Sequence, residues 1–485
     1  MTPPKDGTLT ALRSLLGDTT NYAAEFLERL PERAVAPTAT AEELRKGLGG
    51  PLPDGPREPH LVVAELASAA DLGIMATPGG RFFGFVIGGS LPAALAADWL
   101  TSAWDQNAGL YVAAPAASVV EEVCGAWLIE LFGLPQQVSY GLVTGCQMAN
   151  FTALAAARHS VLEAADWDVE ADGLVGAPPV RIILGEERHV TIDRALRFLG
   201  LGTANLRTVP ADGQGRMRVD ALNDALVESS GPTIVCAQAG NVNTGAVDPL
   251  RAICDAAREA DVWVHVDGAF GMWATASPTL RHLVEGIERA DSWATDAHKW
   301  LNVPYDCGLV FCAHPAAHRA AHRAAMDSHA SYLVHSEGHE RDELDWNSEA
   351  SRHAARLPRV RGAALARPLG GRGSRRPLLR PRAALRRSLG PRAGGRGAQR
   401  RRPQPGARAL PRSRGRPRRP HPRRRGGGAG GRDLLAWGHD LAGQGGHEDL
   451  GVQLVNYYGG RRPIRRGDPA RRQLRGSANR ERVGM

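Results

Sequence analysis

Lysine is nearly absent from this 485-residue chain, which contains only Lys5, Lys46 and Lys299. Of the 60 basic residues, 35 are arginines in 354–485, a stretch that holds only six acids. Residues 1–353 therefore carry a formal charge of −20, and residues 354–485 a charge of +29. The overall charge of +9 misrepresents both parts, so it does not indicate a basic surface over 1–353.

Paired cysteines and long apolar runs are also missing. None of the six cysteines has CxxC spacing, so they are expected to be reduced core thiols of a cytoplasmic protein. No signal peptide and no apolar span of about twenty residues occurs, which predicts a soluble protein without membrane contacts. The histidines at 329, 335 and 339 lack the short spacing of a ligand cluster, so no metal is predicted.

Lys299 is conspicuous because lysine is so scarce. It lies in the run Asp-Ala-His-Lys-Trp at 296–300, shortly before the apolar strand predicted for 307–312. Partial burial between His298 and Trp300 favours the uncharged amine, which can attack an aldehyde. The structural alternative is a lysine whose stem follows apolar surface at the end of a helix or strand.

Asp267 follows the β-branched and aromatic run 262–266, which predicts a buried strand. Open α/β sheets place their ligand chemistry at the carboxyl ends of such strands. A carboxylate there can keep a pyridine nitrogen protonated, which allows pyridoxal 5'-phosphate (PLP) to act as an electron sink. The small residues Gly268 and Ala269 leave room for a flat ring.

Together, Asp267-Gly268-Ala269 and the 296–300 run resemble the group II PLP-dependent amino-acid decarboxylases, the family of the aromatic-amino-acid and glutamate decarboxylases. The resemblance covers roughly 61–352. It implies an α/β fold of PLP fold-type I, with a mostly parallel sheet flanked by helices, and a homodimer. It also implies decarboxylation of an L-amino acid to an amine and CO2. Lys299 would bind the cofactor aldehyde covalently, Asp267 would pair with the ring nitrogen, and Ala269 would pack on one ring face.

A phosphate site is predicted where the strand 140–143 turns at 144–147 into a helix. A helix N-terminus offers unpaired N–H groups to an anion. The family often has Ser-Gly-Gly-Thr in this loop, whereas this chain has Thr-Gly-Cys-Gln. One hydroxyl ligand is therefore lost, but the backbone amides of Gly145, Cys146 and Gln147 remain.

Two further strand ends carry candidate contacts. His189 follows the strand 181–184, and the resemblance implies that it stacks on the ring face opposite Ala269, although an isolated histidine there is more often structural. Asn241 follows the strand 233–238, where many relatives carry a threonine that contacts the cofactor. The implied catalytic residues are Lys299, His189 and Asp267. The implied cofactor contacts are these three with Ala269, His298, Asp296, Gly145, Cys146, Gln147 and Asn241.

Four regions are predicted along the chain. Residues 1–75 form an N-terminal helical segment, which in the family wraps the partner subunit, with a helix capped at Thr38 or Thr40. Residues 76–330 form the large PLP-binding domain, and 331–353 a loop and the start of the small domain. Residues 354–485 form an arginine-rich tail.

Three local expectations concern the large domain. The glycine-punctuated run 81–92 resembles the family's substrate-access segment. A helix over 118–132 is predicted to bury Val119, Val123, Trp127 and Leu131. Asp248 is predicted to cap the helix 249–260.

The arginine-rich tail has three interpretations. It could be a nucleic-acid-binding arm, a tail without selected function, or an out-of-frame reading of a GC-rich gene. Regrouping codon bases permits GFPVYAALRSLGRWG over 356–371 and GATTWQGKAAMRISVSNWSTTTADDV over 437–463, both similar to small-domain segments of the family. The 437–438 junction permits only Gly, and the 447–448 junction only Met or Thr. We therefore favour a frameshift near 353–355 that replaces the native small domain with a disordered tail, and expect no nucleic-acid partner.

The reaction itself has alternatives at the level of sequence. Aromatic-amino-acid decarboxylases place a tyrosine on a mobile loop near 341–352, where this chain has none. A PLP-dependent aminotransferase or carbonyl-forming relative is the second enzymatic hypothesis. A non-enzymatic, nucleic-acid-binding protein is the hypothesis from another class.

Overall fold

The computed structural model describes residues 6–326 and 340–354. Its α-helices are α1 Asp6–Arg29, α2 Ala41–Leu48, α3 Pro59–Ala70, α4 Pro92–Trp104, α5 Pro115–Phe132, α6 Cys146–Glu163, α7 Val169–Asp172, α8 Val190–Phe198, α9 Val219–Val227, α10 Leu250–Glu259, α11 Ala297–Trp300 and α12 Pro315–Met326. The strands are β1 Ser139–Val143, β2 Arg181–Gly185, β3 Arg207–Val209, β4 Thr233–Gln238, β5 Trp263–Asp267, β6 Ser292–Asp296 and β7 Gly308–Cys312. Short 3₁₀ turns lie at Asp71–Gly73, Gly271–Ala276, Arg281–Val284, Ile287–Arg289 and Glu343–Trp346.

The strands form one sheet in the order β1-β7-β6-β5-β4-β2-β3. The five strands β3, β2, β4, β5 and β6 pair in parallel. β7 runs antiparallel to both of its neighbours. Strands that alternate with crossover helices produce this arrangement, so the predicted α/β fold with a mostly parallel sheet is confirmed.

Helices cover both faces of the sheet. This is expected, because the side chains of each strand alternate between the two faces. In β4, Val235 joins the larger core cluster with α5, α9 and α10, whereas Ile234 and Cys236 pack with α6 and α8 on the other face. Successive strand residues point to opposite faces, so each strand contributes to both cores. The face covered by α6 also receives Trp263, His265 and Asp267 of β5, which becomes important at the site.

The predicted buried face of α5 is wrong. The helix buries Cys124, Leu128, Ile129 and Phe132 instead. Val119 and Trp127 are 48% and 36% exposed. Because α5 carries apolar residues almost all the way round, periodicity could not decide which stripe meets the sheet.

The N-terminal helices pack mainly on one another. Helix α1 lies within the predicted N-terminal helical segment, and α2 begins with a capping box between Thr40 and Glu43, which confirms Thr40 as the cap. Helices α2 and α3 contain no buried residue. Leu9, Leu12 and Leu16 of α1 are 45–56% exposed, so this segment presents apolar surface that the rest of 6–326 and 340–354 does not cover.

Asp248 does not cap α10, contrary to expectation. Its carboxylate accepts hydrogen bonds from Met217 N at 2.8 Å and Gln238 N at 2.7 Å. α10 begins at Leu250 after Pro249, which makes no side-chain cap. The carboxylate satisfies backbone donors where β4 ends, because these donors are buried beside it.

Residues 340–354 are anchored to the large domain by buried polar contacts. Asp342 Oδ1 accepts from Tyr111 N at 2.8 Å, and Arg352 Nη1 donates to Ala108 O at 3.1 Å. Arg352 also forms a buried ion pair with Glu121. These contacts hold the main chain against α5 as far as residue 354.

Glu343 makes the stability of this attachment depend on pH. Burial, and then the neighbouring Glu121, raise the pKa of Glu343 from 4.5 to about 8. The stability that this group contributes is therefore complete below about pH 4.5 and is lost as pH rises through about 8. We expect Glu343→Gln to gain thermal stability relative to the parent as pH rises from about 5 to 9. Parallel melting-temperature curves for the two proteins would contradict this.

Some sequence expectations lie outside the described residues. These are the histidines at 329, 335 and 339, residues 331–339 of the predicted 331–353 region, and the tail from 355 onward. Within 6–326 and 340–354, no helix is both long and apolar enough to cross a membrane. In the same residues, no group of three or more histidines, cysteines or acids is arranged to hold a metal ion.

Candidate active site

The candidate site lies at the carboxyl ends of β5 and β6, two adjacent parallel strands. Asp267 pairs in register with Ala294, two residues before Asp296 at the end of β6. The short helix α11 then carries Lys299. The sheet therefore brings together the two motifs that lie 32 residues apart in the sequence.

Asp296 is the centre of the lysine side of the site. Its Oδ2 atom lies 3.5 Å from Lys299 Nζ and 3.1 Å from His298 Nε2. Its Oδ1 atom accepts a hydrogen bond of 2.7 Å from Cys146 N, at the start of α6. The first turn of the predicted phosphate-binding helix thus meets the lysine motif through one carboxylate.

Close backbone packing places the start of α6 here. A Cβ atom on Gly308 of β7 would lie 2.3 Å from Gly145 C and 2.5 Å from Gly145 O. Only glycine allows the loop before α6 to approach β7 so closely. Helix α6 then begins at Cys146, two residues earlier than the sequence predicts.

Asp267 is 3% exposed and is surrounded by donors. Its Oδ1 atom accepts from Ala269 N at 3.1 Å and lies 3.7 Å from Cys146 Sγ. Its Oδ2 atom accepts from Asn150 Nδ2 at 3.2 Å. These donors fix the orientation of the carboxylate that would pair with a ring nitrogen. Burial, followed by the charge of Asp267, raises the pKa of Cys146 well above its ordinary value, so the thiol stays protonated.

His189 lies at the start of α8, as its motif predicts, and is joined to Asp267 through Thr191. His189 Nδ1 is 2.8 Å from Thr191 Oγ1, which lies 3.5 Å from Asp267 Oδ2. Burial lowers the pKa of His189 below its ordinary value, so a neutral imidazole is favoured. A neutral, flat ring at this position suits stacking.

Asn241 and Gln147 are tied to other groups. Asn241 Oδ1 accepts from the backbone N–H groups of Asn243 and Thr244, and its Nδ2 donates to Glu187 O. It thereby organises the turn after β4, and these hydrogen bonds do not join it to Lys299 or Asp267. Gln147 Oε1 accepts from Arg194 Nη1 at 3.1 Å, so its side chain is directed toward α8.

The sequence reasoning missed a buried polar group behind Asp267. Asn150 and His265 are both fully buried and hydrogen-bonded to each other at 2.9 Å. Strand periodicity could have indicated His265, because it lies two residues before Asp267 on the same face of β5. Asn150 lies one helical turn after Cys146, on the side of α6 that faces the sheet.

The residues present fit PLP. His298 Nδ1 is buried without a hydrogen-bond partner within the described residues, which suits a donor to a phosphate oxygen beside the α6 amides. The His298 ring stacks on Tyr305 with centroids 4.3 Å apart, which fixes its orientation. Asp267 supplies the carboxylate for the ring nitrogen, and Lys299 supplies the amine for the aldehyde.

The 81–91 run packs directly against the lysine turn. A Cβ atom on Gly88 would lie 1.8 Å from Lys299 O and 2.7 Å from His298 O. Leu91 N donates to Asn302 O at 2.7 Å, and Asn302 Nδ2 donates to Gly88 O. The predicted substrate-access segment therefore borders Lys299 itself.

We expect Gly88→Ala to disturb the site strongly. Its methyl group would overlap two backbone carbonyls, so either the loop or the Lys299 turn must shift. The amount of PLP that borohydride fixes on Lys299 should fall about tenfold or more at a limiting cofactor concentration. Gly80→Ala in the same loop is the matched control, since nothing lies within 4 Å of its added methyl group. Equal labelling of both variants would contradict this packing argument.

Comparison with known proteins agrees with this geometry. The family model "Pyridoxal-dependent decarboxylase conserved domain" matches residues 51–360. The chain is 30% identical over 303 residues to an aromatic-L-amino-acid decarboxylase of Bacillus atrophaeus, covering 62% of this chain and 61% of the relative. It is 34% identical over 234 residues to the cysteine sulfinic acid decarboxylase of Mus musculus, covering 47% of this chain and 46% of the relative.

A solved structure extends the likeness to three dimensions. The crystal structure of mouse CSAD superposes with a TM-score of 0.68 at 26% identity and covers 78% of each chain. The chain spans about three fifths or less of the length of these curated relatives. Because the family model covers well over half of the sequence, the chain belongs to the pyridoxal-dependent decarboxylase family.

Proposed function

We propose that this protein is a PLP-dependent carboxy-lyase that removes the α-carboxylate of an L-amino acid as CO2 and releases the amine. One observation carries the proposal. Lys299, Asp267 and the first turn of α6 are joined by Asp296 and Cys146 within hydrogen-bond or ion-pair distances. An amine, a buried carboxylate and a helix N-terminus are the three groups that an aldehyde, a ring nitrogen and a phosphate require.

When bound, PLP supplies an aldehyde for the substrate amine and a pyridinium that accepts the electron pair left by the departing carboxylate. Asp267 would hold the proton on the ring nitrogen, because the donors around it fix its carboxylate at the end of β5. Lys299 would hold the cofactor through its amine. Asp296 Oδ2 lies 3.5 Å from Lys299 Nζ, so this carboxylate would orient the amine beside the reacting groups.

His189, His298 and Ala269 would orient the cofactor. His189 follows β2 and is joined to Asp267 through Thr191, and Ala269 follows β5 and donates its N–H to Asp267 Oδ1, which supports placing both residues beside the ring. His298 and the amides at Gly145, Cys146 and Gln147 would hold the phosphate. For Asn241, the proposal is a supporting role through the turn after β4, because its amide is engaged there.

The activity is tested by supplying PLP and a panel of L-amino acids, and measuring CO2 and amine together. The panel should contain aromatic and acidic amino acids, since the relatives' names include an aromatic-L-amino-acid decarboxylase and a cysteine sulfinic acid decarboxylase. Release of CO2 in equal amounts with amine is the expected result. Formation of a keto acid without CO2 would instead support the aminotransferase hypothesis, which the comparisons do not favour.

We further propose that the protein acts as a homodimer in a reducing compartment such as the cytoplasm. The exposed leucines of α1 and the exposed Val119 and Trp127 of α5 support an interface with a second copy. All six cysteines are buried thiols that form no disulfide among the described residues, which agrees with a reducing environment. Light scattering of the purified protein would test the dimer, and a monomer at micromolar concentration would contradict it.

A further inference from the structure

We propose that a buried chain of hydrogen bonds, Trp263–Ser292–His265–Asn150–Asp267, positions the Asp267 carboxylate toward the cofactor's ring nitrogen. We call it the relay chain. The inference rests on the proposed function, because it concerns how PLP is held. It assigns positioning roles to Asn150 and His265, which do not touch the cofactor themselves.

The period of the β-strand builds the relay chain. Trp263, His265 and Asp267 are alternate residues of β5, so their side chains share the face that α6 covers. Ser292 of β6 is the register partner of His265. Asn150 approaches from α6, and its Nδ2 reaches Asp267 Oδ2 at 3.2 Å.

Every hydrogen bond in the relay chain runs in one direction. The Asp267 carboxylate only accepts, so Asn150 must present its amide nitrogen there and its Oδ1 to His265 Nε2 at 2.9 Å. His265 therefore carries its proton on Nε2, and its Nδ1 accepts from Ser292 Oγ at 3.0 Å. Ser292 in turn accepts from Trp263 Nε1 at 3.0 Å. Only one tautomer of His265 satisfies all these bonds.

The surroundings keep His265 in this neutral form. It is fully buried, and burial lowers its pKa to about 4 despite the charge of Asp267. A neutral donor chain gives Asp267 a fixed donor without adding a second charge. Asp267 thus remains the only charged member, and its charge remains available for the ring nitrogen.

Asn150 also connects Asp267 to His189. Its Nδ2 lies 3.2 Å from Thr191 Oγ1, whose hydroxyl is 2.8 Å from His189 Nδ1 and 3.5 Å from Asp267 Oδ2. The shorter distance favours donation from Thr191 to His189. The Asn150 amide therefore orients both Asp267 and the Thr191 hydroxyl that contacts His189.

The test compares two variants of His265 that remove the same ring. In His265→Gln the longer side chain can place an amide N–H near the position of Nε2 and still donate to Asn150. In His265→Asn the amide reaches only as far as Nδ1, so Asn150 Oδ1 loses its donor. We expect His265→Asn to weaken PLP binding to the cofactor-free protein about tenfold or more, and His265→Gln to stay within about threefold of the parent.

A cofactor analogue separates positioning from packing. The carbocyclic analogue of PLP, with C–H in place of the ring nitrogen, gives Asp267 nothing to pair with. The two variants should therefore bind this analogue equally. Equal losses for PLP and the analogue, or equal PLP affinity in both variants, would overturn the inference and leave His265 as a packing residue.

Two controls complete the experiment. Ser292→Ala is a milder change farther from Asp267 along the relay chain. It should weaken the binding of PLP by a few-fold and leave the binding of the analogue unchanged. Thr275→Val removes a buried hydroxyl outside the relay chain, which among the described residues donates to Met272 O. This variant should bind both PLP and the analogue as tightly as the parent protein. Thermal unfolding of each cofactor-free variant identifies those that fold. If the parent protein bound no PLP at Lys299, the proposed function would fail, and the inference with it.

Discussion

Lys299→Ala is expected to abolish the visible absorbance of the protein mixed with PLP, and to lower any turnover by about 10³-fold or more. Lys299 Nζ is the amine beside Asp296, and its side chain is only 18% exposed. In the parent protein, borohydride should fix one PLP on Lys299. Peptide mass spectrometry can assign the label without ambiguity, because the chain has only three lysines.

The other two lysines are the matched controls for this experiment. Lys46 lies in the last turn of α2, far along the chain from the site, and Lys5 precedes α1. Lys5→Ala and Lys46→Ala should retain both the absorbance and the label on Lys299. A label found on Lys5 or Lys46 in the parent protein would show that the site assignment is wrong.

Restoring the reading frame near codons 353–355 is expected to raise amine and CO2 production about 100-fold or more. The family match ends at residue 360, although the sequence continues to residue 485. Under the frameshift hypothesis, the replaced part is the small domain, which by the family resemblance closes over the cofactor. Without that domain, water would reach the reacting carbon and weaken the electrostatic interactions of Asp267 and Lys299.

Three proteins are needed for this comparison: the chain as translated, the frame-restored chain, and the frame-restored chain with Lys299→Ala. The third separates recovered catalysis from improved solubility. Sequencing the gene across codons 350–360 provides an independent check. If the chain as translated already turned over an amino acid at about one per second or faster, the frameshift hypothesis would be wrong, and residues 354–485 would have to form a working domain.

The sequence alone predicted the elements that carry the chemistry. The run 262–266 predicted β5, because its β-branched and aromatic residues suit a buried strand, and Asp267 lies at its carboxyl end as expected. A threonine at 38 or 40 predicted the start of α2, and Thr40 is the cap in the structure. Signals of this kind involve residues only a few positions apart, so they can be read without knowing the rest of the fold.

Other expectations failed where the competing choices were equally good locally. α5 is apolar on several sides, and only its placement against the sheet selects Cys124 and Leu128 over Val119 and Trp127. Asp248 has the position of a helix cap, but two buried backbone donors of other elements compete for its carboxylate. In both cases the neighbouring elements determined the outcome. Leaving apolar surface exposed or buried N–H donors unpaired would cost more free energy than the arrangement observed.

By itself, the sequence determined the α/β class of the fold, the family resemblance, and the importance of Lys299 and Asp267. Only the tertiary structure decided which groups surround them. Cys146 and Asp296 are 150 positions apart, and Asn150 and His265 are 115 apart. These pairs meet because β5, β6 and β7 are adjacent in the sheet and α6 crosses them. Strand order depends on how all the elements share a common core, and a local sequence pattern does not contain that information.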